Sequence, residues 1–132
     1  MKLKNYWLIA KSPDREFTRI LRQENVLSAK EYYYHQKAVN NDTVLFTERQ
    51  INTMGYAFIN NGDIDNALEL FKFNMEVFPE SFNVYDSYAE ALMISGNYDS
   101  SIEYYNKSLE LNPNNINATF MLEKINKMNA TE

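Results

Sequence analysis

Residues 48–81, ERQINTMGYAFINNGDIDNALELFKFNMEVFPES, and residues 82–115, FNVYDSYAEALMISGNYDSSIEYYNKSLELNPNN, decide the fold when one is laid over the other. Gly62-Asp63 and Gly96-Asn97 lie 34 residues apart, as do Pro79 and Pro113. At that offset Ile51, Met54, Gly55 and Phe58 fall on Tyr85, Tyr88, Ala89 and Leu92. Ile64, Ala67, Leu68, Phe71 and Met75 fall on Tyr98, Ser101, Ile102, Tyr105 and Leu109. Ala57/Ala91, Asp65/Asp99, Glu69/Glu103 and Glu76/Glu110 are identical. A fixed period of this size marks units that bury their apolar faces only by stacking on one another.

Each half of a unit has helical spacing. Positions 51, 54, 55 and 58 make one face of a 3.6-residue period, and 64, 67, 68, 71 and 75 extend the same pattern by a turn. Gly62 and Gly96 stand between the halves, where a left-handed residue ends a helix at little cost. Asp63 and Asn97 follow as N-cap candidates. Pro79 and Pro113 lie just beyond the second helices, which they cannot continue. The small residues Gly55 and Ala89 are expected to face Ala67 and Ser101 across the pair, with Phe71 and Tyr105 as wedges toward the next unit.

With Gly55, Phe58, Ala67, Phe71 and Pro79 in place, this pattern resembles the tetratricopeptide repeat. The second unit departs from it at Ala89, Leu92 and Ser101, each of similar size to the usual residue. The fold class is therefore expected to be all-α, antiparallel helix pairs stacked as a short right-handed alpha-alpha superhelix. Two repeats occupy 48–81 and 82–115. Segment 116–128 reads as a C-terminal capping helix, with Ala118, Met121, Leu122 and Ile125 inward and Asn117, Glu123, Lys124 and Lys127 giving a polar outer side.

Upstream, Val26, Ala29, Tyr33 and Lys37 match Ile64, Ala67, Phe71 and Met75 at an offset of 38, the extra length fitting in the loop from Asn40 to Leu45. Residues 13–47 are thus read as a degenerate first helix pair. Asp14 would cap a helix over about Arg15–Gln23, with Phe17, Ile20 and Leu21 inward, after Ser12-Pro13. Residues 1–12 are an N-terminal arm without a clear period.

The composition limits the chemistry. Among 132 residues there is no cysteine, a single histidine (His35) and three glycines. Thiol catalysis, Cys-ligated zinc, iron–sulfur clusters and glycine-rich phosphate loops are excluded, and no cofactor or metal site is expected. Residues 1–40 carry eight basic and four acidic residues, whereas residues 41–132 carry five and fourteen, so a basic start precedes a body of charge −9. Such a body repels phosphate backbones, and no nucleic-acid partner is expected. The apolar run Tyr6–Ala10 is too short for a membrane span or a signal-peptide core. If the chain is complete, a cytoplasmic location follows; if it is a fragment of an exported protein, that inference does not hold.

Residues about 24–128 also resemble the helical repeat tail that follows the catalytic domain in some bacterial serine hydrolases of beta-lactamase-like or esterase type. The matching stretches are Ala29-Lys30-Glu31-Tyr32-Tyr33, Phe73-Asn74-Met75-Glu76, Asn83-Val84-Tyr85-Asp86-Ser87 and Ser108-Leu109-Glu110-Leu111-Asn112-Pro113. The resemblance brings no catalysis with it. Neither Ser-x-x-Lys nor Gly-x-Ser-x-Gly occurs, and Ser28 has Lys30 at the wrong spacing. His35, after Tyr32-Tyr33-Tyr34, reads as a structural or surface residue. The chain is expected not to be an enzyme.

The leading expectation is a protein-interaction module. By resemblance to tetratricopeptide domains, the first helix of each pair lines a concave groove, here with Arg49, Asn52, Tyr56 and Ile59, then Asn83, Asp86, Glu90 and Met93. Some members of that family grip a partner's C-terminal carboxylate. Asn52 stands where they use lysine and Tyr56 where they use asparagine, which disfavours such a clamp. Asp86 and Glu90, four residues apart, read as a solvated acidic pair, so that Asp86→Ala is expected to leave stability almost unchanged. With Tyr56 beside them they suit a protein or peptide segment carrying basic and apolar side chains. The other readings are an auxiliary region of a serine hydrolase whose catalytic domain lies outside this chain, and a structural spacer or homo-oligomer.

Overall fold

The computed structural model describes residues 12–130. The reading of residues 1–11 as an arm lies outside the described residues. Every regular element among those described is an α-helix, and the chain divides into two compact units, 1–47 and 48–132.

The first unit holds α1 (Pro13–Gln23) and α2 (Val26–Val39). α1 begins two residues before the expected start, and Ser12, not Asp14, occupies the cap position. Proline explains the difference: its fixed φ suits the first helical position, and its missing N–H is one that the helix leaves unpaired anyway. Asp14 instead accepts a hydrogen bond from the Ser12 hydroxyl inside the first turn. Phe17, Ile20 and Leu21 are buried, as their spacing predicts, with Val26 and Ala29 of α2. Asn25 caps α2 by accepting from the Ser28 N–H at 2.7 Å. Leu45, the end of the supposed insertion loop, is buried, and the next residue, Phe46, packs its ring at 4.9 Å from Phe17 and 5.3 Å from Tyr33, so the end of that loop belongs to the core. Lys37 is not an inward counterpart of Met75. Its ammonium donates to the carbonyls of Asn41 and, at 3.1 Å, Thr43, tying down the loop. His35 is exposed.

The second unit contains α3 (Glu48–Asn60), α4 (Ile64–Val77), α5 (Phe82–Ile94), α6 (Tyr98–Leu111) and α7 (Ile116–Ala130). The period reappears as repeated contacts. Gly62 and Gly96 have φ of 78° and 86°. The following N–H groups, of Asp63 and Asn97, both donate at 2.9 Å, to the carbonyls of Phe58 and Leu92. Asp63 caps α4 through the Asn66 N–H, whereas the Asn97 side chain makes no cap bond and only its backbone carbonyl accepts, from the Ser101 N–H. Farther along, Asn74 Nδ2 donates to the Glu48 carbonyl at 3.1 Å, and Ser108 Oγ to the matching Phe82 carbonyl at 2.8 Å. Each bond ties the end of a pair's second helix to the start of its first.

At the close approach the two repeats differ. Ser101 Oγ donates to the Ala89 carbonyl at 2.7 Å, bringing α5 and α6 together where expected. At Gly55 the nearest neighbour is not Ala67. A Cβ built there would lie 2.4 Å from Cε1 of Phe71, whose ring fills the space the glycine leaves. Phe71 clusters with Ala67 and Ala91, and Tyr105 with Ala89, Ala118, Met121 and Ile125, so each ring also reaches the helix after its own pair. α7 extends two residues past the expected end. Its outer side is less polar than expected, for Ile116 and Phe120 are 82% and 60% exposed.

Candidate partner-binding face

α3 and α5 are first helices of successive pairs, and the period brings Tyr56 beside residue 90. Tyr56 Oη donates to Glu90 Oε2 at 2.6 Å and lies 3.4 Å from Ser87 Oγ. The Tyr56 ring meets Phe71 edge-on at 5.1 Å, which holds it half-buried against the core. Burial first, and the hydrogen bond to Glu90 second, push the Tyr56 phenol far above its ordinary pKa, so it stays a donor.

Of the residues expected on this face, Arg49 and Asn83 are exposed, while Asn52, Tyr56, Ile59, Glu90 and Met93 are half-buried. Asp86 departs from expectation: it is 7% exposed and not part of a solvated pair. Its Oδ2 accepts from Asn115 Nδ2 at 2.7 Å and its Oδ1 from Asn117 Nδ2 at 2.8 Å. Asn115 also donates to Ser108 Oγ at 2.8 Å, and its own oxygen accepts from the Ala118 N–H at the start of α7. Asp86 therefore anchors the last helix. The i,i+4 spacing places Asp86 and Glu90 on one stripe of α5, but α7 covers one and leaves the other.

Burial raises the Asp86 carboxyl above its ordinary value of 3.8, opposed by the two amide donors. The native state then holds this proton more tightly than the unfolded chain does. As pH rises from 3.8 through the elevated native value, this group makes folding less favourable. We expect the stability of the wild type relative to Asp86→Asn, measured by chemical denaturation at stepped pH, to fall across that window as pH increases. A difference that is flat or rises would contradict the burial.

The sequence pointed to Asn52 and Tyr105 but not to the buried, unpartnered polar atom that each carries. Tyr105, wholly buried, has a hydroxyl with no hydrogen-bond partner, and the buried Oδ1 of Asn52 likewise has none. Burial first, then Asp86, Glu90 and Tyr56 nearby, drive the Tyr105 phenol far above its usual pKa. α7 also adds to the face: Ile116, Asn117, Phe120 and Lys124 take the register of Phe82, Asn83, Asp86 and Glu90. The 34-residue period, carried one helix further, was the signal that points to them. No described helix is long and apolar enough to cross a membrane.

These helix pairs define an all-α fold of the tetratricopeptide alpha-alpha superhelix class. Residues 82–115 match the family model of the tetratricopeptide repeat. Among solved structures, the chain is similar to the first tetratricopeptide domain of Spaghetti (RPAP3) bound to the HSP90 peptide SRMEEVD. Identity is 18%, the TM-score 0.60, and coverage 93% of this chain and 94% of that one. The first such domain of human RPAP3 gives 17% identity and a TM-score of 0.61, over 93% and 94%. A MamA mutant gives 18% and 0.60, over 92% and 85%. No curated protein matches the chain by sequence.

Proposed function

We propose that the protein is a noncatalytic interaction module that holds a partner's peptide segment on the face formed by α3, α5 and α7. The observation that carries this reading is the Tyr56–Glu90 contact. A half-buried ring bridges two repeats beside a carboxylate that pairs with no lysine or arginine among the described residues. Ile59 and Met93, equivalent positions of the two repeats, and the exposed Phe120 of α7 supply apolar surface. A segment with basic and apolar side chains complements such a face. The peptide in the Spaghetti structure is acidic, and Glu90, the carboxylate left open on this face, would repel a ligand of that charge. The reading as an auxiliary region of a serine hydrolase rests on sequence resemblance alone.

A peptide-array screen, followed by titrations at two salt concentrations, tests the proposal. The best ligands should combine Lys or Arg with apolar residues. Tyr56→Ala should weaken them at both salts. Glu90→Gln should weaken them about two- to fivefold and flatten the salt dependence, the worth of one partly exposed ion pair. Best ligands that are acidic, or that bind these variants as well as the wild type, would place the binding surface elsewhere.

A further inference from the structure

The loop from α4 to α5 forms the wall of a cleft. Val77, Phe78, Pro79, Glu80 and Ser81 line it together with Glu48, the first residue of α3, around a cavity of about 550 Å³ that opens to solvent. That volume lies in the range of small-ligand sites. The wall is fixed, for the Ser81 N–H donates to the Phe78 carbonyl at 3.1 Å and Tyr85 Oη to the Pro79 carbonyl at 2.7 Å. Glu48 is fixed as well, its Oε1 accepting from Ser81 Oγ at 2.6 Å. A serine just before a helix ordinarily accepts from a backbone N–H of the first turn. The Ser81 side chain makes no such cap bond to α5 and is turned to Glu48 instead. The repeat does not need this carboxylate. Asn74 reaches only the backbone carbonyl of Glu48, and in the next repeat Phe82 and Asn114 stand at the positions of Glu48 and Glu80. Neither glutamate pairs with a lysine or arginine among the described residues.

Building on the peptide-binding reading of the α3, α5 and α7 face, we propose that this cleft is a second subsite for the same partner and takes one arginine side chain. Val77, Phe78 and Pro79 suit the apolar stem and the flat faces of the guanidinium, and the two carboxylates suit its charge. Arginine fits better than lysine. Glu80 is exposed with neither oxygen engaged, which leaves room for two parallel N–H bonds, whereas Glu48 has one oxygen held by Ser81. The cleft lies at the rim of the proposed face, since Arg49 follows Glu48 and Asn83 is two residues beyond Ser81. Tyr56 and Glu90 lie eight or nine residues further along their helices, an axial distance of about 12–14 Å. An extended segment covers that distance in about four residues. The partner is thereby narrowed to a segment with two basic side chains about four apart, the one in the cleft being arginine.

The test follows the backbone amide signals of the full chain by NMR during titration with acetyl-arginine amide, acetyl-lysine amide and acetyl-citrulline amide. The arginine compound should shift Val77, Phe78, Glu80 and Ser81 saturably, the lysine compound should bind more weakly, and citrulline, which has the shape without the charge, should leave them unmoved. Glu80→Gln and Glu48→Gln should each weaken the arginine compound about two- to fivefold. Glu80 is exposed and Glu48→Gln keeps an oxygen for Ser81, so both variants should fold. Glu90→Gln, on the other subsite, should leave these shifts as they are. Equal shifts by citrulline, or full affinity in both variants, would overturn the cleft as a subsite and leave its two carboxylates as complements of the α5 dipole. A peptide with two arginines four apart should lose affinity when the arginine destined for the cleft is replaced by citrulline, and the loss should vanish in the chain carrying both glutamate changes. Peptide binding indifferent to those changes would sink the cleft alone. A response to acetyl-arginine amide without any peptide binding would keep the cleft and sink the peptide reading.

Discussion

Phe71→Ala should lower the unfolding free energy by about 3–5 kcal/mol, the cost of emptying a large buried aromatic site. The ring is 0% exposed, seated over Gly55, edge-on to Tyr56, and packed with Ala67 and Ala91. Its loss opens a cavity at the junction of α3, α4 and α5, and a domain of this size has only about 5–15 kcal/mol to lose. The melting temperature should fall on the order of 10 °C or more. The complementary change is Gly55→Ala. On an ordinary helix it would gain up to about 1 kcal/mol. Here the new Cβ would lie 2.4 Å from the ring, and the ring is too enclosed to move away. We expect a net loss, overpacking costing about 1–3 kcal/mol. Combining Gly55→Ala with Phe71→Leu should cost less than the sum of the two single changes, because the smaller side chain makes room for the methyl group. Strict additivity in thermal or denaturant unfolding, or a Gly55→Ala variant more stable than the wild type, would remove the ring from that position.

Asp86→Ala should cost about 1–3 kcal/mol, against the near-neutral effect that its spacing on the helix suggests. The substitution leaves Asn115, itself 8% exposed, with an amide hydrogen facing an empty buried space. It also releases Asn117, and both residues hold the start of α7. The damage should therefore be local as well as global. Hydrogen exchange across Ile116–Ala130 should accelerate more than across α3 or α4. Asn83→Ala, at an exposed position one turn earlier on the same helix, serves as the control and should change stability by less than about 0.5 kcal/mol. Equal effects of the two substitutions, with unchanged exchange in α7, would mean that Asp86 does not anchor that helix.

The local syntax of the repeats was legible in the amino-acid sequence. Gly62 and Gly96 take up positive φ because a helix must end between two apolar stripes, and the period already marks both ends. Phe17, Phe71, Tyr105 and Ile125 are buried because apolar side chains at helical spacing have no better place to go. The pairing of Tyr56 with position 90 also follows from the 34-residue repeat, which sets equivalent turns of α3 and α5 side by side. The fate of the polar groups was not legible. Asp86 and Glu90 share a stripe, yet the partners that bury Asp86 come from 29 and 31 residues further along the chain. Periodicity reports which side of a helix is apolar, but whether a carboxylate on the border of that side is covered or open depends on what another element lays over it. The same holds for Gly55, whose smallness serves the Phe71 ring rather than Ala67, and for Tyr105, whose ring the pattern placed but whose hydroxyl it could not aim. Apolar burial is nearly non-directional and so can be read from spacing alone, whereas hydrogen bonds are directional and are settled only when the third dimension brings donor and acceptor together.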